Sequence, residues 1–144
     1  MKKKLLMVSI ILVATLAGCE LLIGTFTANI NGTAWESTVF GAVKNGTQYT
    51  ITGTKNTSTM VITVPGTSTG TYTINPADTT LEALIYTPDY NNASNYYLST
   101  QGAVDLSKVV EGRLSGTYNV WAKNSITATD SIIITGQFSN ILSN

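Results

Sequence analysis

Apolar and polar residues alternate along most of this chain, and this alternation constrains its fold more than any other feature. In the first case, Phe26, Ala28 and Ile30 alternate with threonine and asparagine. The same period of two recurs in residues 48–53, 59–64, 71–74, 98–106, 114–122 and 132–138. A period of two is that of a β-strand with one buried face. Threonine, valine, isoleucine and tyrosine favour strands, because β-branched and aromatic side chains suit a pleated surface.

Turn residues separate these runs. Asn31-Gly32 and Asn45-Gly46 are predicted hairpin turns of type I′, a turn that needs positive φ at both central positions. Residues 65–66 and 75–76 contain proline and mark further turns. Residues 81–86 also fit one face of a helix, but we interpret them as a strand. We therefore predict an all-β fold, either an antiparallel β-sandwich or a small barrel of about nine strands.

The start of the chain predicts an export signal that ends in a lipidated cysteine. Three lysines, Lys2 to Lys4, precede an apolar stretch at residues 5–17, which is the pattern of a secretory signal. That stretch is shorter than the roughly 18 residues of a membrane-spanning helix. Its end, Leu16-Ala17-Gly18-Cys19, resembles the bacterial lipobox. The alternative is an ordinary signal with an incidental cysteine.

The lipobox resemblance implies that the Cys19 thiol receives diacylglycerol and becomes the first residue of the mature protein. We expect residues 1–18 to be a cleaved signal peptide and residues 19–24 to be the lipidated Cys19 with a short tether. Residues 25–144 then form a single β domain. Cys19 is the only cysteine, so an internal disulfide is excluded.

Charge restricts the partners of the mature chain. Removing residues 1–18 from 144 leaves 126 residues, with five basic and eight acidic side chains and a net charge of −3. An acidic protein is a poor ligand for nucleic acid or for anionic lipid headgroups. We therefore expect membrane contact through the N-terminal lipid alone. The expected location is the cell envelope, at the outer membrane, on either its periplasmic or its surface face.

A family resemblance rests on the segment from Phe26 to Trp35, which reads Phe-Thr-Ala-Asn-Ile-Asn-Gly-Thr-Ala-Trp. This opening, just after a lipidated cysteine, resembles small lipoproteins of Bacteroidota-type bacteria, a family of unknown function. The resemblance covers about residues 26–141. It implies an extracytoplasmic β domain and carries over no catalytic or binding residues. In that lineage, a patch of acidic residues after the cysteine directs lipoproteins to the cell surface. Here only Glu20 is present before Leu21, so this surface-export signal is incomplete.

The residue inventory argues against an enzyme. The chain has no histidine, and Cys19 is assigned to lipid, so Ser-His-Asp, Cys-His and histidine-ligated zinc sites are excluded. A carboxylate pair of the glycosidase type stays open. Its candidates are Glu36, Asp78, Glu82, Asp89, Asp105, Glu111 and Asp130. Most of these fall in turns or on polar strand faces, where solvated surface charge is the simpler interpretation. We predict a non-enzymatic domain without cofactor or metal.

A polar loop at residues 89–95 supplies further candidate contacts. Asp89, Asn91 and Asn92 offer the oxygen ligands that calcium prefers, but the loop lacks the glycine and final glutamate of an EF-hand. Asparagine and aspartate also suit turns for backbone reasons. We therefore interpret the loop as a turn. We retain Asp89, Tyr90, Asn91 and Asn92 as candidate contacts for a ligand.

The two tryptophans receive different predictions. Trp35 shares its parity with Val39 and Val43, so we place it in the core with them. Trp121 lies on the polar parity of its strand, beside Asn119, and we expect it to face outward. An exposed tryptophan between polar neighbours is typical of a sugar-stacking or protein-contact surface. The alternative is that a second sheet or a long loop covers Trp121.

These observations lead to two functional hypotheses. The first is a binding or adhesion module for glycan or protein, with Trp121 and the 89–95 loop as contacts and Tyr86, Tyr90 and Tyr97 as an extension. The second is a structural envelope subunit whose exposed sheet edge pairs with another chain.

Overall fold

The computed structural model describes residues 24–75 and 84–144, which form ten β-strands and one 3₁₀ turn at Tyr90–Asn92. The strands are β1 (Thr25–Ile30), β2 (Thr33–Glu36), β3 (Val39–Asn45), β4 (Gln48–Lys55), β5 (Ser58–Val64), β6 (Gly70–Ile74), β7 (Leu84–Thr87), β8 (Tyr97–Val110), β9 (Arg113–Asn124) and β10 (Ser131–Leu142). This confirms the all-β prediction. Residues 1–23, with the predicted signal and Cys19, lie outside the described residues, as do residues 76–83.

All the described strands belong to one antiparallel sheet. The order is β2-β1-β10-β9-β8-β7-β5-β4-β3, and β6 pairs with β8. The edge strands β2 and β3 are consecutive in the chain, separated by Ser37 and Thr38. The Ser37 N–H donates to Phe26 O (2.9 Å) and the Thr38 N–H donates to Thr54 O (2.8 Å). The sheet therefore curls around one core, which is closer to the predicted barrel than to a sandwich of two sheets.

A second contact joins β3 to the end of β10. Ala42 and Ser143 form a parallel bridge. Next to it, the Lys44 N–H donates to Asn144 O and the Asn144 N–H donates to Ala42 O, both at 3.1 Å. These bonds hold the edge strand β3 against the far side of the curled sheet.

Hairpin turns follow the predicted chemistry with one difference. Asn31 (φ 48°) and Gly32 (φ 87°) both have positive φ, which confirms the type I′ turn between β1 and β2. In the next predicted hairpin Asn45 pairs with Gln48, so the loop is residues 46–47 rather than Asn45-Gly46. Gly46 (φ 60°) occupies the first central position, as in a type II′ turn.

Phe26 lies at the centre of the core. It is fully buried and makes edge-to-face contacts with Trp35, Tyr118 and Phe138, with ring centroids 5.7, 6.1 and 6.4 Å away. Gly53 on β4 makes room for this ring, because a Cβ atom there would overlap Phe26. Aromatic residues from four strands thus share one contact point.

The parity prediction for β3 is wrong. Trp35 is buried as expected, at 6% exposure, but Val39 and Val43 are 70% and 56% exposed. Phe40 and Ala42 pack on the core instead. The reason is the Ser37–Thr38 link, where the chain leaves its partner β1 and joins β4. Alternation restarts there, so the inward parity of β2 becomes the outward parity of β3.

Candidate functional site

Trp121 lies on the outer face of β9 and is 46% exposed. Its cross-strand neighbours are Gln101 on β8 and Ile133 on β10. Ile133 is itself 38% exposed. The prediction of an outward Trp121 is confirmed, and the alternative that a second layer covers it is wrong.

Polar groups surround this indole. Asn119 precedes it by two residues on the same face, and both Asn119 and Gln101 are exposed. Within the described part of the chain, neither side-chain amide makes a hydrogen bond. The exposed set Trp121, Gln101, Asn119 and Ile133, which we call the Trp121 surface, therefore combines an aromatic face with amide donors and acceptors.

Side-chain oxygen atoms in the 89–95 loop accept hydrogen bonds from within the same loop and so stabilise the turn. The Asn91 N–H and the Asn91 side-chain amide both donate to Asp89 Oδ1, at 3.0 and 2.9 Å. The Ser94 hydroxyl donates to Asn92 Oδ1 (3.0 Å). Asp89 thus caps the 3₁₀ turn, in agreement with the turn interpretation. Among the residues that the structure describes, no group of three or more His, Cys, Asp or Glu side chains is placed to hold a metal.

This loop bridges two parts of the molecule. On one side the Asn124 amide donates to Asn95 Oδ1 (2.8 Å). Asn124 follows Trp121 by three residues, or roughly 10 Å along the strand. On the other side the Tyr90 N–H donates to Thr57 O (2.8 Å), and Tyr90 is 52% exposed. The predicted contacts on the loop therefore lie at the same end of the sheet as Trp121, but not beside it.

A cleft that the sequence analysis missed opens next to Thr57. It has a volume of about 460 Å³, within the range of roughly 300–1,000 Å³ usual for ligand pockets. The β1–β2 turn, the β4–β5 turn and the end of β7 with the residues after it border the cleft. The lining residues are Ile30, Thr33, Ala34, Trp35, Lys55, Asn56, Thr57, Ser58, Tyr86 and Pro88. One sequence signal points here: Trp35 follows the Asn31-Gly32 turn closely, which places it near an end of the sheet.

Two buried residues form the floor of the cleft. Trp35 Nε1 donates to Ser58 Oγ (2.8 Å), and the Ser58 hydroxyl donates to Lys55 O (2.8 Å). Burial raises the pKa of Tyr86, an effect that its hydrogen bond with Ser58 partly opposes. The Tyr86 hydroxyl is thus a neutral phenol at neutral pH and can both donate and accept.

Tyr86 and Tyr97 do not extend the Trp121 surface, contrary to the prediction. Their rings stack on each other, 6.3 Å apart at 30°, and Tyr86 pairs with the buried Met60 on β5. The Tyr86 side chain therefore lies on the inner face of the sheet, whereas Trp121 lies on the outer face. The Tyr97 hydroxyl donates to Asp130 Oδ2 (2.7 Å), and this bond, more than burial, raises the pKa of Tyr97.

The candidate carboxylates that the structure describes lie on the surface. Glu36, Asp89, Asp105, Glu111 and Asp130 are all exposed. Asp78 and Glu82 lie outside the described residues. No buried acid is present in the described part of the chain.

The comparison with known protein families matches almost all the residues that form this sheet. A family model described as a domain of unknown function, DUF6252, matches residues 24–142. The chain belongs to this family. The match begins after Cys19, so lipidation and bacterial origin stay predictions. No curated protein and no solved structure matches the chain. Within the described ranges, no helix has the length and apolar character needed to cross a membrane.

Proposed function

We propose that this protein is a lipid-anchored, non-enzymatic binding module of the cell envelope. Its contact with a glycan or protein partner is made through the Trp121 surface. The observation that carries the proposal is the position of Trp121, which is 46% exposed on the outer face of the long strand β9, three residues from its end. Tryptophan is enriched at binding hot spots, because a large apolar ring gains most when a partner removes it from water.

The neighbours of Trp121 favour a glycan over an apolar partner. A sugar ring presents C–H groups that stack on an indole and hydroxyl groups that need polar partners. Gln101 lies directly across from Trp121 on β8, and Asn119 lies two residues before it on β9. Their amides are therefore placed to bind hydroxyls at the edge of a stacked ring. A purely apolar partner would leave these two amides desolvated and unpaired, at a cost of about 1–3 kcal/mol each.

Anchoring rests on Cys19 and on the short distance to the fold. β1 begins at Thr25, so the expected tether of residues 19–24 holds the domain close to the bilayer. Cys19→Ser is expected to abolish incorporation of labelled fatty acid and to release the protein from the membrane fraction. Fatty-acid labelling that persists in Cys19→Ser would contradict the lipid anchor.

The binding proposal is tested with the full chain in mild detergent on an array of envelope and host glycans. Trp121→Ala is expected to lower binding of any retained neutral glycan by at least about tenfold, the equivalent of 1.4 kcal/mol. Val43→Ala truncates an exposed apolar side chain on the edge strand β3, outside the Trp121 surface; it is the control and should bind as the unmodified chain does. Equal losses in both variants, or no retained glycan, would argue against the Trp121 surface.

The alternative function, assembly through a sheet edge, has a candidate in β6. In the described part of the chain this strand pairs with β8 alone, so its second edge has no strand partner there. An open edge is a template for pairing with another chain. Sedimentation over a hundredfold range of concentration tests this function, since a monomer throughout would reject self-assembly.

A further inference from the structure

We propose that the 460 Å³ cleft at the β1–β2 and β4–β5 turns is a second binding site, which takes an acidic sugar residue of the hexuronic acid type. The site goes beyond the Trp121 surface and shares none of its residues. Its support is the shape, charge and chemistry of its own lining.

The floor of the cleft is fixed before any ligand arrives. Trp35 is held from below by its edge-to-face contact with Phe26 (5.7 Å) and from the side by its hydrogen bond to Ser58. Ser58 in turn bonds to Lys55 O, which ties the backbone below the Lys55 side chain. A ligand therefore binds without ordering these groups, and little affinity is lost to their immobilisation.

The described lining of the cleft has one positive charge without a counter-ion. Among the residues that the structure describes, Lys55 is the only charged one that lines the cleft, and it forms no ion pair within those ranges. A single ammonium group matches a single carboxylate. A phosphate monoester brings about −1.5 to −2 charges at neutral pH, more than Lys55 balances. A free amino acid would also need a carboxylate for its ammonium group, and the lining residues that the structure describes include none.

The other lining residues match a sugar ring. Ile30, Tyr86 and Pro88 provide apolar and aromatic surface for its C–H face, above the buried Trp35. Thr33, Thr57 and Tyr86 also line the cleft, and their hydroxyls are groups that can pair with ring hydroxyls. A flat hydrocarbon would leave these polar groups unpaired, and a neutral sugar would leave Lys55 unpaired. An acidic sugar pairs both with these polar groups, through its hydroxyls, and with Lys55, through its carboxylate.

Fluorescence isolates this site, because the chain has two tryptophans and Trp35 lies in the cleft. In full-length Trp121→Phe, in mild detergent, Trp35 is the single indole. Titration with glucuronate is expected to change its emission in a saturable way. Glucose should bind at least about tenfold more weakly, as expected if the carboxylate contributes one charge-assisted hydrogen bond.

Substitutions of Lys55 make the test specific. Lys55→Gln in the same background should raise the Kd for glucuronate at least about tenfold, and Lys55→Arg, which keeps the charge, should restore most of the affinity. Lys108→Gln removes the same charge from an exposed position on β8 and should leave the Kd unchanged. No saturable change, an unchanged Kd in Lys55→Gln, or tighter binding of glucose or glucose 6-phosphate would each overturn the proposal.

The two sites fail separately. A glucuronate response in Trp121→Phe with an empty glycan array would reject the Trp121 surface and keep the cleft. Loss of array binding in Trp121→Ala with no glucuronate response in Trp121→Phe would reject the cleft and keep the Trp121 surface.

Discussion

Tyr118 brings a polar atom into the core of the sheet. The residue is 3% exposed, and its hydroxyl donates to Thr27 O (2.8 Å) and lies 3.5 Å from Met60 Sδ. Gly136 makes this approach possible, since a Cβ atom there would overlap the Tyr118 hydroxyl. Burial raises the pKa of Tyr118 far above that of a tyrosine in water, so the side chain stays protonated in the folded state.

This shift predicts a loss of stability in alkali. Above about pH 10, the ordinary pKa of tyrosine, the unfolded chain releases the Tyr118 proton while the folded chain keeps it. The unfolded state then binds fewer protons, so the free energy of unfolding falls as pH rises, by up to about 1.4 kcal/mol per pH unit from this group. Tyr118→Phe removes that contribution and should give a flatter decline.

Urea unfolding between pH 7 and pH 11 measures both effects. At pH 7 Tyr118→Phe should be less stable by about 1 kcal/mol, because the hydrogen bond to Thr27 is lost. Parallel pH curves for the two proteins would show that Tyr118 ionises equally in both states.

At the residue scale, sequence parity predicts faces well within one strand and fails between strands. Trp121 and its neighbours lie on one uninterrupted strand, and their outward direction follows from the alternation. Val39 and Val43 come after the Ser37–Thr38 link, where alternation restarts. The cleft was not predicted because Trp35, Lys55 and Tyr86 come from three separate strands. A pattern read along one strand does not show which strand ends meet.

At the element scale, one hairpin turn contains a residue that does not suit its backbone conformation. Glu111 and Gly112 join the two long strands β8 and β9 with φ values of 51° and 72°, the pattern of a type I′ turn. Glutamate rarely adopts positive φ, whereas asparagine adopts it readily. The Asn31-Gly32 turn has the favoured pair at the same two positions, so the β8–β9 turn has a less suitable residue.

Glu111→Asn is therefore expected to stabilise the protein by about 0.5–1 kcal/mol, since it relieves a left-handed glutamate. Thermal or urea unfolding measures the change. Glu36→Asn replaces another exposed glutamate, in β2, where φ is negative, and should not stabilise. An equal gain in both variants would assign the effect to charge rather than to the backbone.

The hairpin between β3 and β4, whose loop differs from the predicted one, is also explained by the φ angles that each turn type needs. A type I′ turn at Asn45-Gly46 needs two positive φ values, whereas the observed turn needs one, at Gly46. The observed turn also adds the pair Asn45–Gln48 to the ladder between β3 and β4. The presence of this hairpin was predictable from the sequence, but its register depended on how far the ladder extends.

At the scale of the whole molecule, the sheet is closed by few bonds. β3 is joined to β10 by the pair of hydrogen bonds between Asn144 and the backbone of Ala42 and Lys44. Asn144→Pro removes one of them, because proline has no N–H, while Asn144→Ala keeps both.

We expect the Lys44 amide to exchange with solvent on the order of fivefold faster in Asn144→Pro, which corresponds to about 1 kcal/mol. Hydrogen exchange followed by NMR measures this rate. Amides in the centre of β9 should not change. Faster exchange in Asn144→Ala as well would point to the side chain instead of the backbone bond.

The two-residue link between β2 and β3 also determines where the chain tolerates a change in length. Side chains alternate faces along a strand, so one residue added between Glu36 and Val39 would reverse every side chain of β3 relative to its partners. Phe40 and Ala42 would turn to solvent and Val39 and Val43 to the core. A residue added to the β9–β10 connection, residues 125–130, would disturb hydrogen bonds within this exposed loop but would leave the faces of β9 and β10 unchanged. Natural insertions and deletions in relatives of this protein should therefore collect in that loop and be absent from the link.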